Sequence, residues 1–540
     1  MPIRSNFVDT VTNPELIFGI VGQIGSNIDS IIEYMSDSLN RVEYYPCVVH
    51  LTQALDKLKP VPAIDTSGYD RRYHSLIEKA DTFCREAESH AALAGLAISE
   101  IRRLRTELNA GAQRPVDEPA RGTAYIIRQL KRPHEIELLR KTYGRKFVLI
   151  SVYLDQEERL SQLADKIQHF DSTPIEREDA EKRAAELISR DASEVDNDFG
   201  QRVADIFHQA DVILVGRKDN STKESVDRFI KALFGHNGVS PTKSEYGMYA
   251  ATSASLRSLD LSRQVGASIF SSKGELISQG CNEVPKPFGG TYWSDDPQQF
   301  RDFELGRDEN HFRKVSILHD LLERLTSVGA LSEKFVAGRD VSQQVKALLT
   351  SRVVAQAKVM DIIEFGRMIH AEMSALMDAA RLGKSVIGGT LFCTTFPCHV
   401  CAKHIVASGV AEVVFLEPYP KSRARDLNPD SITFSPDERE EKVLFRTFVG
   451  ITPRRYRDIF EKGKRKDDGG RAVDWYEGHP VPRVEDRSPS YLANEQPSIT
   501  VSLELWVQKA SSTNGAAKIK RRTAPSRSPK KADRPVRGQR

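Results

Sequence analysis

The spacing of apolar positions changes several times along this chain, and each change predicts an element. Residues 15–21, 147–153 and 211–215 are short, nearly uninterrupted apolar runs, the pattern of strands buried on both faces of a parallel sheet. The first run passes into a glycine-rich turn, Gly22-Gln23-Ile24-Gly25-Ser26-Asn27, and then into a helical period over 28–39. A charged helical stretch over about 174–209 separates the second run from the third. Farther on, 262–270 and 275–285 flank a turn at Ser272-Lys273-Gly274 and predict a hairpin. Residues 369–377 begin an amphipathic helix that Gly383 ends, 389–395 read as a strand, Pro397 opens a second helix running to 408, and 413–417 read as another strand. Hairpin, helix, strand, helix, strand predicts a three-layer α/β/α core, so the fold class is α/β in both halves of the chain.

Two further regions exceed that core. Residues 303–366 insert mostly helical sequence between the hairpin and the helix at 369, with 331–360 strongly periodic, and could form an oligomer interface or a cap over a pocket. Residues 443–476 have only core packing as a readable role. Gly235 to Ser244 is the linker between a first domain, 1–235, and a second, 245–480.

A chain of 540 residues is long enough for two or three such domains. Its net charge of +3 conceals a division. Residues 511–540 hold ten Lys or Arg and one acid, a balance of +9, so residues 1–510 stand at −6. That basic, Ser- and Pro-rich tail is expected to be disordered, and it could touch an anionic surface or serve only solubility. An acidic body argues against a nucleic-acid grip. Six cysteines (Cys47, Cys84, Cys281, Cys393, Cys398, Cys401) form no disulfide framework, and no apolar run suits a signal peptide or a membrane span. The expected compartment is cytoplasmic, with no membrane partner.

The chemistry concentrates in His370-Ala371-Glu372 and Pro397-Cys398-His399-Val400-Cys401. Zinc takes nitrogen and sulfur ligands tetrahedrally, and a catalytic site keeps its fourth position open. His370, Cys398 and Cys401 make three ligands, each at a predicted helix start, where the dipole favours thiolates. Glu372 need not be a ligand and is free to move protons. The competing reading is a closed structural site, with His399, His404 or Cys393 as fourth ligand. A glutamate two residues after the histidine and a proline before the cysteines have no role in a structural knuckle, and the pair of segments matches the signature of zinc-dependent nucleobase deaminases.

With Gly280-Cys281-Asn282-Glu283-Val284 and Thr395 to Ile405, these segments resemble deoxycytidylate deaminases more than polynucleotide editors. The layout as a whole, over roughly 12–460, resembles the bacterial anti-phage dCTP deaminases: a P-loop NTPase-like, nucleotide-kinase-like regulatory domain before a cytidine-deaminase-like domain. The resemblance implies Zn2+ as cofactor and a homo-oligomer. It also implies deamination of dCTP, dCMP or both, with depletion of deoxycytidine nucleotides during phage infection. By the same carry-over, Asn282 would bind the deoxyribose hydroxyl, while Arg263 and the segment Tyr419-Pro420-Lys421-Ser422 would serve the phosphate. Each has an ordinary alternative: Asn282 as a turn residue, Arg263 as a strand-edge charge, Lys421 as a surface lysine.

Gly22, Gly25, Ser26 and Asn27 are candidates for binding a nucleotide phosphate at a helix N-terminus. A Walker A loop would carry Gly-Lys-Ser/Thr, but Gly25 is followed by Ser26-Asn27. Ordinary α/β packing therefore stays open beside a regulatory domain that senses a nucleotide or RNA, and phosphoryl transfer is disfavoured. The stretch at 174–209, with Arg190-Asp191, lies where nucleoside monophosphate kinases carry a lid. Rival readings of the whole are a housekeeping dCMP deaminase fused to a nucleotide kinase, and a polynucleotide cytidine or adenosine deaminase.

Overall fold

The computed structural model describes residues 12–58, 64–170, 175–194, 197–351, 354, 357–484 and 488–522. Two six-stranded sheets organise them. The first contains β1 (Leu16–Gly22), β2 (Tyr45–His50), β3 (Thr123–Arg128), β4 (Phe147–Tyr153) and β5 (Val212–Val215). The second contains β6 (Gly266–Phe270), β7 (Leu276–Cys281), β8 (Thr390–Thr395), β9 (Glu412–Glu417), β10 (Ile432–Thr433) and β11 (Val443–Thr447). The last strand, β12 (Gly450–Ile451), returns to the first sheet.

In the first sheet the spatial order is β12-β5-β4-β1-β3-β2, parallel throughout except that β12 runs antiparallel to β5. β1 is wholly buried, as its apolar run requires, and helix Ile28–Arg41 follows the glycine turn. Connections leave β1 and β3 toward opposite sides of the sheet, so a crevice opens at their carboxyl ends, the usual ligand position in open α/β sheets.

The second sheet, in order β10-β11-β9-β8-β6-β7, is antiparallel at β6–β7 and β6–β8 and parallel elsewhere. Its side chains alternate between two cores. Phe270, Phe392 and Val414 pack with Met248 and Ala251 of helix Lys243–Ser255. Ile269, Leu391, Cys393 and Val413 pack with Ala375 and Ala402 of helices Ala371–Arg381 and His399–Ser408. This is the expected three-layer arrangement. Gly280 lets the helix that carries Glu372 press onto β7: a Cβ there would lie 2.3 Å from the Ala371 carbonyl oxygen and 2.4 Å from the Ala375 nitrogen.

The halves are joined more intimately than a linker at 235–244 implies. Glu245, fully buried, accepts hydrogen bonds from Thr242 N and from the β12 residue Ile451 N at 2.7 and 2.9 Å, and pairs through both carboxylate oxygens with Arg228. Residues 443–476 thus do more than pack a core, because β12 extends the sheet of the first domain. Helix Tyr491–Arg522 also lies on the first domain, and its backbone runs on into the segment expected to be disordered; residues 523–540 lie outside the described residues. Buried Arg105 bridges Glu15 of the first domain and Glu495 of that helix at 2.9 and 2.7 Å.

Among its described residues the insertion is largely helical, as expected. Within 331–360 the helical sequence is divided into the short helices Glu333–Val336 and Val341–Leu349 and the 3-10 turn Lys358–Asp361, and Gly329 and Gly338 adopt positive φ (65° and 70°) at the breaks. Its longest helix, Glu309–Ser327, lies upstream.

Candidate metal centre and its cavity

The centre forms where two helix starts meet. His370 is the N-cap of Ala371–Arg381, and Cys398 is the N-cap of His399–Ser408, its Sγ accepting from Cys401 N at 3.4 Å. β8 delivers Pro397 and so sets the second helix against the first. His370 Nδ1 then stands 3.2 Å from Cys398 Sγ and 3.4 Å from Cys401 Sγ. The three donor atoms lie within 4.8 Å of one another, and among the described residues no fourth side chain joins them. His399 faces Glu364 at 3.6 Å, Cys393 donates to the Val414 carbonyl, and His404 is exposed. One imidazole and two thiols at helix N-termini are a donor set that fits zinc and leaves a fourth tetrahedral position without a protein ligand among the described residues.

Electrostatics agree with that chemistry. Hydrogen bonds from Cys401 and His370 bring the Cys398 thiol down to about 4, and its thiolate raises His370 to about 9. Sharing a proton with Cys398 holds the Cys401 thiol well above the ordinary range. Glu372, only 4% exposed, sits 3.6 Å from Cys401 Sγ, and burial raises its carboxyl. A carboxyl that holds a proton more readily than usual is suited to relaying one.

A cavity of about 330 Å³ opens above the centre, and His370 and Glu372 are in its wall. Asn282, Arg263, Tyr419 and Lys421 line it as well. Both Asn282 amide atoms already hold backbone: Oδ1 accepts from Val265 N and Nδ2 donates to Arg263 O, each at 2.7 Å. One N–H and one lone pair remain. Arg263 pairs with Glu417 at 3.2 Å and Lys421 with Asp361 at 2.6 Å, at an exposed rim. Ser422 does not reach the cavity; its Oγ donates to Pro397 O at 2.8 Å and fixes the chain entering the cysteine helix.

The insertion roofs the cavity. Asn310, Lys314 and Ile363 line it, and Lys314 Nζ is held by the Met360 carbonyl at 2.8 Å. None of these was singled out from sequence. The cap at Asp308, which accepts from Asn310 N and His311 N, marks a helix start but not the direction in which that helix faces.

The glycine turn is also built differently from a phosphate cradle. Ser26 N donates to Gln23 O at 3.1 Å, Asn27 N to Gly216 O at 3.0 Å and Ile28 N to Ser26 O at 3.1 Å. The amides that Ser26 and Asn27 were expected to offer a phosphate are therefore spent on carbonyls. Gly22 serves packing, since a Cβ would lie 2.2 Å from Ile28, and Gly25 supplies the positive φ of the turn (93°).

Comparison with known proteins concerns the second half of the chain. Residues 241–417 match the cytidine and deoxycytidylate deaminase zinc-binding region. The chain is 46% identical over 55 residues to the deoxycytidylate deaminase of Enterobacteria phage T2, 10% of this chain and 29% of that protein. It is 28% identical over 95 residues to a probable deoxycytidylate deaminase of Drosophila melanogaster, 16% of this chain and 46% of that one. The chain thus spans less than half the length of these relatives. Among solved structures, the dCMP deaminase of cyanophage S-TIM5 in complex with dCMP and dUMP aligns over 38% of this chain and 98% of that chain, at 19% identity and a TM-score of 0.21. The matched segment, 241–417, is thus similar to a zinc-binding deaminase region, and it contains the three donors that could hold the metal. No helix among the described residues is long and apolar enough to cross a membrane.

Proposed function

We propose that this chain hydrolytically deaminates a deoxycytidine nucleotide. The observation that carries the reading is the three-donor centre with buried Glu372 beside it, at the floor of a cavity with cations at its rim. Zinc, when bound, acidifies a water and so makes a nucleophile available for C4 of cytosine. Glu372 moves the protons: one from that water to N3 of the ring, and one to the departing 4-amino group. The roof formed by the insertion keeps bulk water from the carboxylate. Asn282, with one N–H and one lone pair left, orients the sugar, and Arg263 and Lys421 exchange their acidic partners for phosphate oxygens. More than one rim cation suits a substrate carrying several phosphates, so dCTP belongs in the substrate class with dCMP. Depletion of these nucleotides during phage infection is the biological role we assign, on the layout of the two domains. The first domain is the controlling element, coupled to the deaminase through β12 and Glu245.

The test is an assay of the purified chain against dCMP, dCTP, cytidine and single-stranded DNA. Release of ammonia from the free nucleotides is expected. Conversion of the polynucleotide alone would overturn the reading.

A further inference from the structure

A second cavity, of about 250 Å³, lies at the carboxyl ends of β1, β2 and β3. It holds an anion supplied by the chain itself. The Asp191 carboxylate, 3% exposed, accepts from Ile24 N of the glycine turn at 2.8 Å through one oxygen and from Lys131 Nζ at 2.7 Å through the other. Lys131 follows β3, and its ammonium also donates to the Gly22 carbonyl at 2.7 Å, which anchors it at the turn whether or not Asp191 is present. An ammonium and a turn amide converging on two oxygens is an arrangement a phosphate can adopt in place of a carboxylate.

Three observations indicate an external ligand. Gln201, 5% exposed, lines this cavity with an Oε1 that has no hydrogen-bond partner, and the Oε1 of Gln23 is likewise unpartnered. An unsatisfied buried amide oxygen is uncommon and calls for a donor, which a hydroxyl or amino group on the organic part of a phosphate ester would supply. Tyr69 and Tyr73, ring centroids 5.1 Å apart, provide an apolar wall beside them. Finally, Asp191 lies in the last turn of helix Arg177–Ala192, which packs with helix Gln156–Phe170 in a small cluster of its own, separate from the main cores. Such a satellite unit can shift at little cost to the rest of the fold.

We infer that this cavity binds a small phosphate ester and that Asp191 occupies its phosphate position in the free chain, so that ligand and carboxylate compete for Ile24 N and Lys131 Nζ. The inference gives chemical content to the first domain as controlling element, and it is read by binding, so it can fail while control by another route survives. The ligand would withdraw Asp191 from the turn and release the end of helix Arg177–Ala192.

The full-length zinc protein is titrated calorimetrically with pyrophosphate and with ADP. Asp191→Asn, which removes the competing charge, should bind at least one of them about tenfold more tightly than the natural chain. Lys131→Met should lose that binding in both backgrounds. Equal affinity with and without Asp191, or binding retained by Lys131→Met, overturns the proposal. Should Asp191→Asn fold poorly, amide hydrogen exchange on the unsubstituted chain decides. Saturating ligand should speed exchange in Arg177–Ala192 and slow it at Ile24. Unchanged exchange at both, or no binding at millimolar ligand, overturns it equally.

Discussion

Replacing Glu372 by glutamine tests whether this side chain moves protons without holding the metal. It keeps the shape of the residue and removes only its capacity to take a proton. The side chain is 4% exposed, and the other carboxylate of the cavity wall, Asp308, is held at the start of helix Glu309–Ser327 by two cap hydrogen bonds to its Oδ1. Neither bulk water nor a neighbour is placed to take over. A positioned acid–base group contributes about 10²–10⁴-fold in rate, or about 3–5 kcal/mol of barrier. With no substitute in the cavity the loss should lie near the upper end. Stability should move the other way. Burial holds the Glu372 carboxyl above its ordinary value, so the zinc-free folded chain binds this proton more tightly than the unfolded chain does. That contribution is complete at pH below the unfolded value and is lost as pH rises through the raised folded value. Glutamine abolishes the slope, and zinc-free Glu372→Gln should outlast the natural chain at neutral pH. Turnover of deoxycytidine nucleotides, zinc content per chain and chelator-treated unfolding at several pH values are the three readouts. Loss of zinc would make Glu372 a ligand, and activity within tenfold of the natural chain would remove it from proton transfer.

Gly280→Ala should push helix Ala371–Arg381 off β7, costing about 1–3 kcal/mol as overpacking does, and should lower kcat; urea unfolding and turnover check it, and an unchanged kcat would mean that this contact does not set the position of Glu372. Glu245→Ala leaves Arg228, Thr242 N and Ile451 N without their shared partner. Breaking a buried pair costs about 3–5 kcal/mol, and Arg228 is partly exposed, so denaturant unfolding should show about 3 kcal/mol; a negligible loss would show that β12 is held by other contacts. Zinc uptake should steepen with pH: His370, raised to about 9, and Cys401, raised further, both carry protons at neutrality, so zinc expels two and its affinity climbs about 100-fold per pH unit. Competition with a chelator measures the slope, and a pH-independent affinity would refute the proton placement.

The metal centre was legible because its residues fall in two local pairs, each within one element. His370 and Glu372 belong to one helix start and Cys398 and Cys401 to another, so spacing alone carries their geometry. Of the first-sheet strands buried on both faces, β1, β4 and β5 were legible for a similar reason, whereas β3, buried as they are, was not singled out. β2 was not, because it is a half-exposed edge strand containing Pro46, and β12 was not, because two residues carry no period.

The glycine turn shows where such reading stops. Gly22 to Asn27 has the composition of a phosphate loop, but what a loop can bind depends on which of its amides are already spent. That accounting is closed by Gly216 on a distant strand end and by Asp191 on a helix far along the chain. Neither is visible within a local window. Gly216 occupies the Asn27 amide, so the anion at this turn, Asp191, sits on Ile24 N instead, and the cation beside it is Lys131, from the segment after β3 and not from the loop. A missing Walker lysine therefore argues against one way of holding a phosphate, not against a cation at this crevice.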